Sequence, residues 1–369
     1  MDVSKSIDFL LEKAGDVIKY RLHKEILGDL SKSAEENLLE KVMLTPKYKL
    51  LESYRKANGY IGIGMHSWDK FKETPLQDGE AAARLIHNYS IPKDIPLAAD
   101  FARSLTDDAI LEHEFSYYNP EIARFKNRHI GTETGASLQL TIDTCVALIG
   151  YGDDDLIERT KQISYNAFIS MLRLNSLDEI ITYRPELKRK YNYPFVMPDT
   201  YLPCLYHLQV LANTHSWRNE TSVRRLASAL THMNEIMTDD NTVTVKIGSK
   251  FSGAGWSLIR PFKPYTPNFK NAIPCHRRTL TDFAKLGIGN DYDILKISAE
   301  NVLEDISGDG ILRMKYANAS EKRGYKSGLI WATPYSEGGL EQDYKTDISI
   351  FCDLTFWAVE FLHIYNKNP

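Results

Sequence analysis

The chain has 369 residues, 43% of them hydrophobic, and a formal net charge of −4. It is long enough to bury a substantial core, either as one repeat-built domain or as two ordinary domains. The slightly acidic balance, without a stripe rich in Lys and Arg, argues against a nucleic-acid partner.

Three features bear on the compartment of the protein. The N-terminal residues MDVSKSIDFLLEKAGD contain acids and lack an uninterrupted apolar run, unlike a signal peptide. No stretch of about 18 apolar residues is present, so the sequence predicts no membrane span. The four cysteines are widely spaced and form no Cys-x-x-Cys pair, as is typical of free thiols in a reducing compartment. A cytoplasmic protein is therefore predicted.

The N-terminal segment reads as three helices. Apolar residues recur at helical spacing over residues 3–28, and Gly28 is predicted to end this first helix. Ser31 or Ser33 is predicted to cap the next helix, since Ser33 is followed by Glu36 at the third position in the form of a capping box. A third helix over residues 48–56 stops at the Asn58-Gly59 pair.

The stretch 58–89 is a helical corner that recurs in variant form along the chain. A glycine-rich turn leads into a loop of polar and aromatic residues, and Asp78 then opens an alanine-rich helix. Each later copy has a Gly/aromatic turn, a polar loop, and an acid or hydroxyl in front of a helix of small or apolar residues. The sequence therefore predicts a fold built from repeated helical hairpins.

Two kinds of helix alternate after residue 78. Helices rich in small or apolar residues are predicted over 78–90, 133–149, 199–212, 275–287 and 350–365. More charged helices are predicted over 97–105, 153–174, 222–237 and 291–306. Covered inner helices and half-exposed outer helices produce this alternation. The predicted fold is all-α, an (α/α)6 toroid of two concentric helix layers in a single domain over residues 1–369, with minor β segments at 242–247 and 311–316.

A resemblance to a known superfamily supports this architecture. In Leu51-Glu-Ser-Tyr-Arg-Lys-Ala-Asn58-Gly59-Tyr60-Ile-Gly62 a helix runs into a Gly-aromatic turn, and Ser307-Gly-Asp-Gly-Ile311 is a partial second copy. The pattern resembles the repeat signature of the α/α-toroid superfamily, which includes terpenoid cyclases and protein prenyltransferase β subunits. The resemblance implies an (α/α)6 barrel whose central cavity opens near one end of the inner helices and takes a lipophilic, isoprenoid-like molecule.

The catalytic motifs of the known branches are not found in the sequence. There is no Asp-x-Asp-Asp acid, and the acids 153–155 are interpreted as a charged helix cap. Asp143-Thr-Cys145 together with His207 mimics the zinc pattern of prenyltransferases, but Asp143 falls well inside its helix. The interpretation is a helix-interior acid beside a core thiol, and neither a metal nor a cofactor is predicted.

The candidate site residues are those near the predicted openings of the inner helices. Helix N-termini favour acids, hydroxyls or bound anions, and loops held by a rigid scaffold usually carry binding groups. The candidate catalytic residues are His66, Glu73, Asp78 and Asp199. The candidate substrate-binding residues are Trp68, Tyr193, His207, Trp256, Arg260 and Asp353.

Three functions are compatible with this sequence. The first is the binding or transformation of a lipophilic, isoprenoid-like small molecule in the central cavity, as the resemblance implies. The second is a carbohydrate-active hydrolase or lyase that uses carboxylates at the barrel mouth. The third is a non-catalytic scaffold that presents a surface to a partner. An apolar cavity favours the first function, and a cavity lined by carboxylates and aromatic rings favours the second.

Overall fold

The computed structural model describes residues 2–65, 78–116, 123, 125–183, 194–238, 243–253, 258, 260–266, 276–313, 339–344 and 346–367. The described chain is mostly helical with one small sheet, as the all-α prediction requires. In chain order the α-helices are α1 Ser4–Lys13, α2 Asp16–Arg21, α3 Lys32–Met43, α4 Pro46–Ser53, α5 Gly79–Asn88, α6 Pro96–Thr106, α7 Asp108–Ser116, α8 Leu138–Val146, α9 Glu158–Ile169, α10 Leu205–Ala212, α11 Glu220–Ile236, α12 His276–Lys285, α13 Asp293–Ile306 and α14 Asp347–Lys367.

Two of these helices continue as wider π-helical turns. Helix α2 runs on through Leu22–Leu27 and α8 through Ala147–Tyr151. Gly28 ends the first of these segments with a left-handed φ of 63°, as the sequence predicted.

The small sheet has three short strands. They are β1 Phe195–Val196, β2 Thr244–Ile247 and β3 Lys250–Gly253, in the order β1-β2-β3. β1 runs parallel to β2, and β2 pairs with β3 as an antiparallel hairpin. The strand predicted at 242–247 is confirmed, whereas most of the segment predicted at 311–316 lies outside the described residues.

The apolar helices contact one another in sequence. Helix α5 packs on α8, α8 on α10, α10 on α12, and α12 on α14. Helix α14 in turn contacts α1 and α2. The more charged helices lie against this set, with α6 on α8, α9 on α10 and α13 on α14. The apolar helices are therefore covered on several sides, which explains their small and apolar composition.

The first predicted helix is divided in two. Ala14 and Gly15 are extended, with ψ values of 158° and 176°, and α2 begins at Asp16. The Gly15 amide donates a 2.8 Å hydrogen bond to Glu341 Oε1 instead of continuing the helix. A contact from the far end of the chain thus interrupts a stretch whose local pattern is helical throughout.

Helix α14 is long and apolar enough to span a membrane by length and composition, with a mean hydropathy of 1.3. However, 61% of its most apolar window is buried inside the protein. Core helices of globular proteins also combine these properties.

Candidate functional site in the central cavity

A cavity of about 70 Å³ lies where the apolar helices converge. Helices α2, α5, α10, α12 and α14 all contribute side chains to it. Its polar and charged lining consists of Arg21, Arg84, His87, Asn88, Gln209, Arg278, Thr281, Asp282, Lys285, Asp353 and Glu360. Phe356 and Trp357 supply aromatic surface. The cavity has room for roughly five water molecules.

A wider recess of about 320 Å³ adjoins this cavity. The residues that line both are Arg21, His87, Leu148, Lys285 and Glu360. These shared residues form the boundary between the two spaces. A ligand that enters the recess therefore meets His87 and Lys285 before it reaches the inner cavity.

A buried ion pair forms one wall of the cavity. Glu80 and Arg84 lie one turn apart on α5, with Glu80 Oε1 2.8 Å from the Arg84 guanidinium and side chains only 3% and 2% exposed. The Tyr206 hydroxyl also donates to Glu80, at 3.2 Å. Arg84 donates onward to Gln209 Oε1 at 2.9 Å. The Gln209 carbonyl is thus committed to Arg84, which leaves its amide nitrogen as the donor.

Asp282 accepts a hydrogen bond from this amide, but one of its two carboxyl oxygens is unused. Its carboxyl is hydrogen-bonded to Gln209. Its Oδ2, although buried, accepts no hydrogen bond from any residue that the structure describes. Burial raises the pKa of Asp282, while Lys285, Arg278 and Arg84 oppose that shift. Such a carboxyl readily holds a proton and has an acceptor or donor oxygen to offer to a ligand.

His87 and Lys285 form the second polar group, at the boundary with the recess. His87 Nδ1 lies 2.9 Å from the Leu148 carbonyl oxygen and must donate to it, because a carbonyl oxygen only accepts. Burial, together with the charges of Lys285 and Arg21, lowers the pKa of His87 well below its usual value. The ring is therefore neutral, and its Nε2 accepts from Lys285 Nζ at 3.3 Å.

Arg21 is neutralised by two glutamates at the same boundary. It pairs with Glu25 at 2.7 Å and also with Glu360. Burial would raise the pKa of Glu25, but the charge and hydrogen bonds of Arg21 and a hydrogen bond from Ser90 lower it overall. The Arg21 guanidinium therefore has its partners within the protein.

Asp353 lines the cavity from α14 and is held by the segment 339–344. Its carboxylate accepts from the Gly339 amide at 2.8 Å, from the Glu341 amide at 3.2 Å, and from the Tyr344 hydroxyl. Burial raises the pKa of Asp353, whereas these three hydrogen bonds and Lys47 oppose the rise. The pKa stays raised overall, and the three donors fix the position of the carboxyl.

The structure brings one predicted site residue, Asp353, into the cavity. Asp78 is the N-cap of α5, where its Oδ1 accepts from the Ala81 amide at 2.8 Å. Asp199 lies in an exposed turn ahead of α10, and Arg260 is also exposed. None of these three residues, Asp78, Asp199 and Arg260, lines the cavity.

His207 performs a structural role at the start of α10. Its Nδ1 accepts from the Cys204 amide at 3.3 Å, and its Nε2 donates to the Thr132 carbonyl at 2.7 Å. Burial lowers its pKa to about 4. Since both ring nitrogens are engaged, the pattern of Asp143, Cys145 and His207 offers no free imidazole, and no three metal-ligating side chains converge among the described residues.

The remaining predicted residues, His66, Trp68, Glu73, Tyr193 and Trp256, lie outside the described residues. Conversely, the sequence reasoning missed Arg84, His87, Gln209, Asp282 and Lys285. A signal for them was present, because ionisable residues inside otherwise small-residue or apolar helices must find partners or a cavity.

No protein family, curated protein or solved structure matches the chain. The site is therefore interpreted from its own geometry.

Proposed function

We propose that the chain folds as an α/α toroid whose central cavity binds and acts on a small, hydroxyl-rich ligand of the carbohydrate class. The order of helix contacts supports the toroid. Each apolar helix contacts the next apolar helix, and α14 returns to the N-terminal helices α1 and α2. The more charged helices lie against this series, as an outer layer does.

The charged lining of the cavity is the observation that supports a polar ligand. Arg84 and Asp282 belong to helices that converge on the cavity, and the polar ends of both side chains are buried there. A lipophilic ligand would displace water from these groups and offer no hydrogen bonds in return, which is unfavourable. A hydroxylated ligand replaces that water with donors and acceptors. The lining thus favours the carbohydrate alternative over an isoprenoid one.

The carboxyl groups of the cavity fit the same class. Trp357 has a structural role beside them, since its indole nitrogen donates to the Arg277 carbonyl and the Thr281 hydroxyl, both at 3.1 Å, and its ring stacks on Phe361. Asp282 and Asp353 supply the two carboxyl groups. Carbohydrate-active hydrolases usually need one acid that holds a proton and one that stays ionised. We assign the proton donor to Asp282, because its Oδ2 is unused, and the second carboxyl to Asp353, which three hydrogen bonds hold in position.

A ligand screen by thermal unfolding tests this proposal. Wild-type protein is heated with neutral and acidic sugars and short oligosaccharides, with farnesyl diphosphate as the lipophilic competitor. A ligand at a hundredfold excess over its Kd should stabilise the fold by about 2.7 kcal/mol. The proposal expects a shift with members of the sugar set. Stabilisation by farnesyl diphosphate alone would replace it with the isoprenoid function, and no shift with any ligand would leave the scaffold function.

Two variants test whether the ligand causes its thermal shift by binding in the cavity. Asp282→Asn should weaken the shift, because it removes the acid while keeping the side-chain size. Asp199→Asn is the matched control, since Asp199 is exposed and does not line the cavity. An equal response in both variants would contradict the assignment of the site.

A further inference from the structure

We infer that the ligand of this cavity is a hydroxylated carboxylic acid, a sugar acid, whose carboxylate pairs with Lys285 and whose hydroxyl contacts Asp282. This inference rests on the proposed function and specifies its substrate class. It starts from two groups on α12 that the protein itself does not satisfy.

Lys285 is the first of these groups. Its ammonium contacts His87 Nε2 at 3.3 Å and Asn213 Oδ1 at 3.5 Å, and both partners are neutral. Within the described part of the chain, no carboxylate lies within ion-pair distance of it. Arg21 and Arg84, which also line the cavity, differ because each pairs with glutamate. The carboxyls of Asp282 and Glu25 interact with Lys285 only through their charges, without a hydrogen bond. A half-buried ammonium whose hydrogen-bond partners are both neutral can bind a single negative charge.

His87 explains why this cation is held in place without being neutralised. Its Nδ1 proton is committed to the Leu148 carbonyl, so Nε2 can only accept, and it accepts from Lys285. A neutral acceptor orients the ammonium but contributes no negative charge. Lys285 therefore stays available for an anion at the boundary between the recess and the inner cavity.

Asp282 is the second unsatisfied group. It precedes Lys285 by three residues, which places both side chains on one face of α12 at a Cβ separation of roughly 5–6 Å. Their charges act on each other, but no hydrogen bond joins Lys285 to Asp282 Oδ2. A molecule with a hydroxyl and a carboxylate a few bonds apart can bridge the two, because the hydroxyl reaches Asp282 Oδ2 while the carboxylate reaches Lys285 Nζ.

The geometry favours a carboxylate over a phosphate. Phosphates are usually bound at helix N-termini or by arginine forks with free donors. Lys285 is the last residue of α12 and His87 lies in the last turn of α5, where the helix dipoles disfavour negative charge, and they disfavour a doubly charged phosphate more than a singly charged carboxylate. One ammonium at such a position matches one carboxylate.

Matched ligand pairs test the inference by calorimetry on the full chain. The probes are glucose, glucuronate and glucose 6-phosphate, together with the C4 epimers galactose, galacturonate and galactose 6-phosphate. Glucuronate or galacturonate should bind at least about tenfold more tightly than the corresponding neutral sugar, as a charge-assisted hydrogen bond predicts. Lys285→Met should abolish that difference, so that the sugar acid binds the variant no more tightly than the corresponding neutral sugar does. Lys296→Met, at an exposed lysine on α13, is the control and should change neither affinity.

Asp282→Asn gives an independent readout. It should weaken the neutral sugar and the sugar acid by a similar factor, since both carry the hydroxyl that contacts Asp282. Equal affinities for sugar and sugar acid in the wild type would overturn the inference and leave the proposed function standing. Tighter binding of the sugar phosphate would overturn the carboxylate assignment. No binding by any of these ligands would overturn both.

Discussion

At the scale of single residues, the cavity is organised by a chain of hydrogen bonds between buried polar side chains. The chain runs from Glu80 to Arg84, from Arg84 to Gln209, and from Gln209 to Asp282. Each link fixes the orientation of the next, because Arg84 only donates and Glu80 only accepts. The chain ends at the unused Asp282 Oδ2. The same interactions that satisfy three of these side chains thus present the fourth to a ligand.

Replacing Glu80 tests how strongly this chain contributes to stability. Glu80→Gln keeps the acceptor oxygen but leaves the Arg84 guanidinium buried without a counter-charge. The free energy of unfolding, measured by denaturant titration, should fall by about 3–5 kcal/mol.

The protein contains a closely matched control for this change. Glu220 and Arg224 also lie one turn apart at the start of a helix, with the same 2.8 Å separation, but their side chains are 76% and 70% exposed. Glu220→Gln should cost less than about 1 kcal/mol. Similar losses in the two variants would show that burial does not set the strength of the Glu80–Arg84 pair.

At the scale of elements, the alternation of apolar and charged helices was predictable, because it follows from how many sides of a helix are covered. Helix starts were less predictable. Residues 199–212 were expected as one helix, but α10 begins at Leu205, after Pro203. There Cys204 and His207 form a capping box that uses a thiol and an imidazole instead of the usual hydroxyl and carboxylate. Local sequence rules therefore predicted that the helix begins at Asp199. In the structure α10 begins later, where the His207 side chain that caps it also donates to the distant Thr132 carbonyl.

A variant at the start of α5 distinguishes a helix-capping role of Asp78 from a catalytic role. Asp78→Ala removes the acceptor for the Ala81 amide and should lower the free energy of unfolding by about 1 kcal/mol. The thermal shift caused by a cavity ligand should stay the same, since Asp78 does not line the cavity. Asp199→Ala, in an exposed turn, should change stability by no more than about 0.5 kcal/mol. Loss of the ligand response in Asp78→Ala would instead place Asp78 in the site, as the sequence alone suggested.

At the scale of the whole molecule, long-range contacts join the N-terminal helices to the C-terminal part of the chain. Lys5 Nζ donates to the Gly308 carbonyl at 2.8 Å, and the Ser6 hydroxyl to the Gly310 carbonyl at 2.6 Å. Helix α14 lies beside α1 and supplies Asp353 to the cavity. These contacts explain why the site was hard to predict from sequence. Periodicity identifies which helices are buried, but it does not reveal which buried face turns toward the centre.

A close backbone approach between the first helix and the 307–313 segment lies at Gly310, and it can be tested directly. Gly310 has a φ of +84°, and a Cβ there would lie 2.6 Å from the Lys5 carbonyl carbon and the Ser6 nitrogen. Because backbone atoms cannot move aside as a flexible side chain does, Gly310→Ala should force α1 away from the 307–313 segment. Gly28 has a φ of +63°, and a Cβ added there would meet nothing within 4 Å, so it isolates the conformational part of the cost. Gly28→Ala should lose about 1 kcal/mol, and Gly310→Ala should lose about 1–3 kcal/mol more, as overpacking predicts. Hydrogen exchange should locate the additional loss in α1 and in the neighbouring part of α14. If both alanine variants unfold with the same free energy, the contact at Gly310 does not hold the two ends of the chain together.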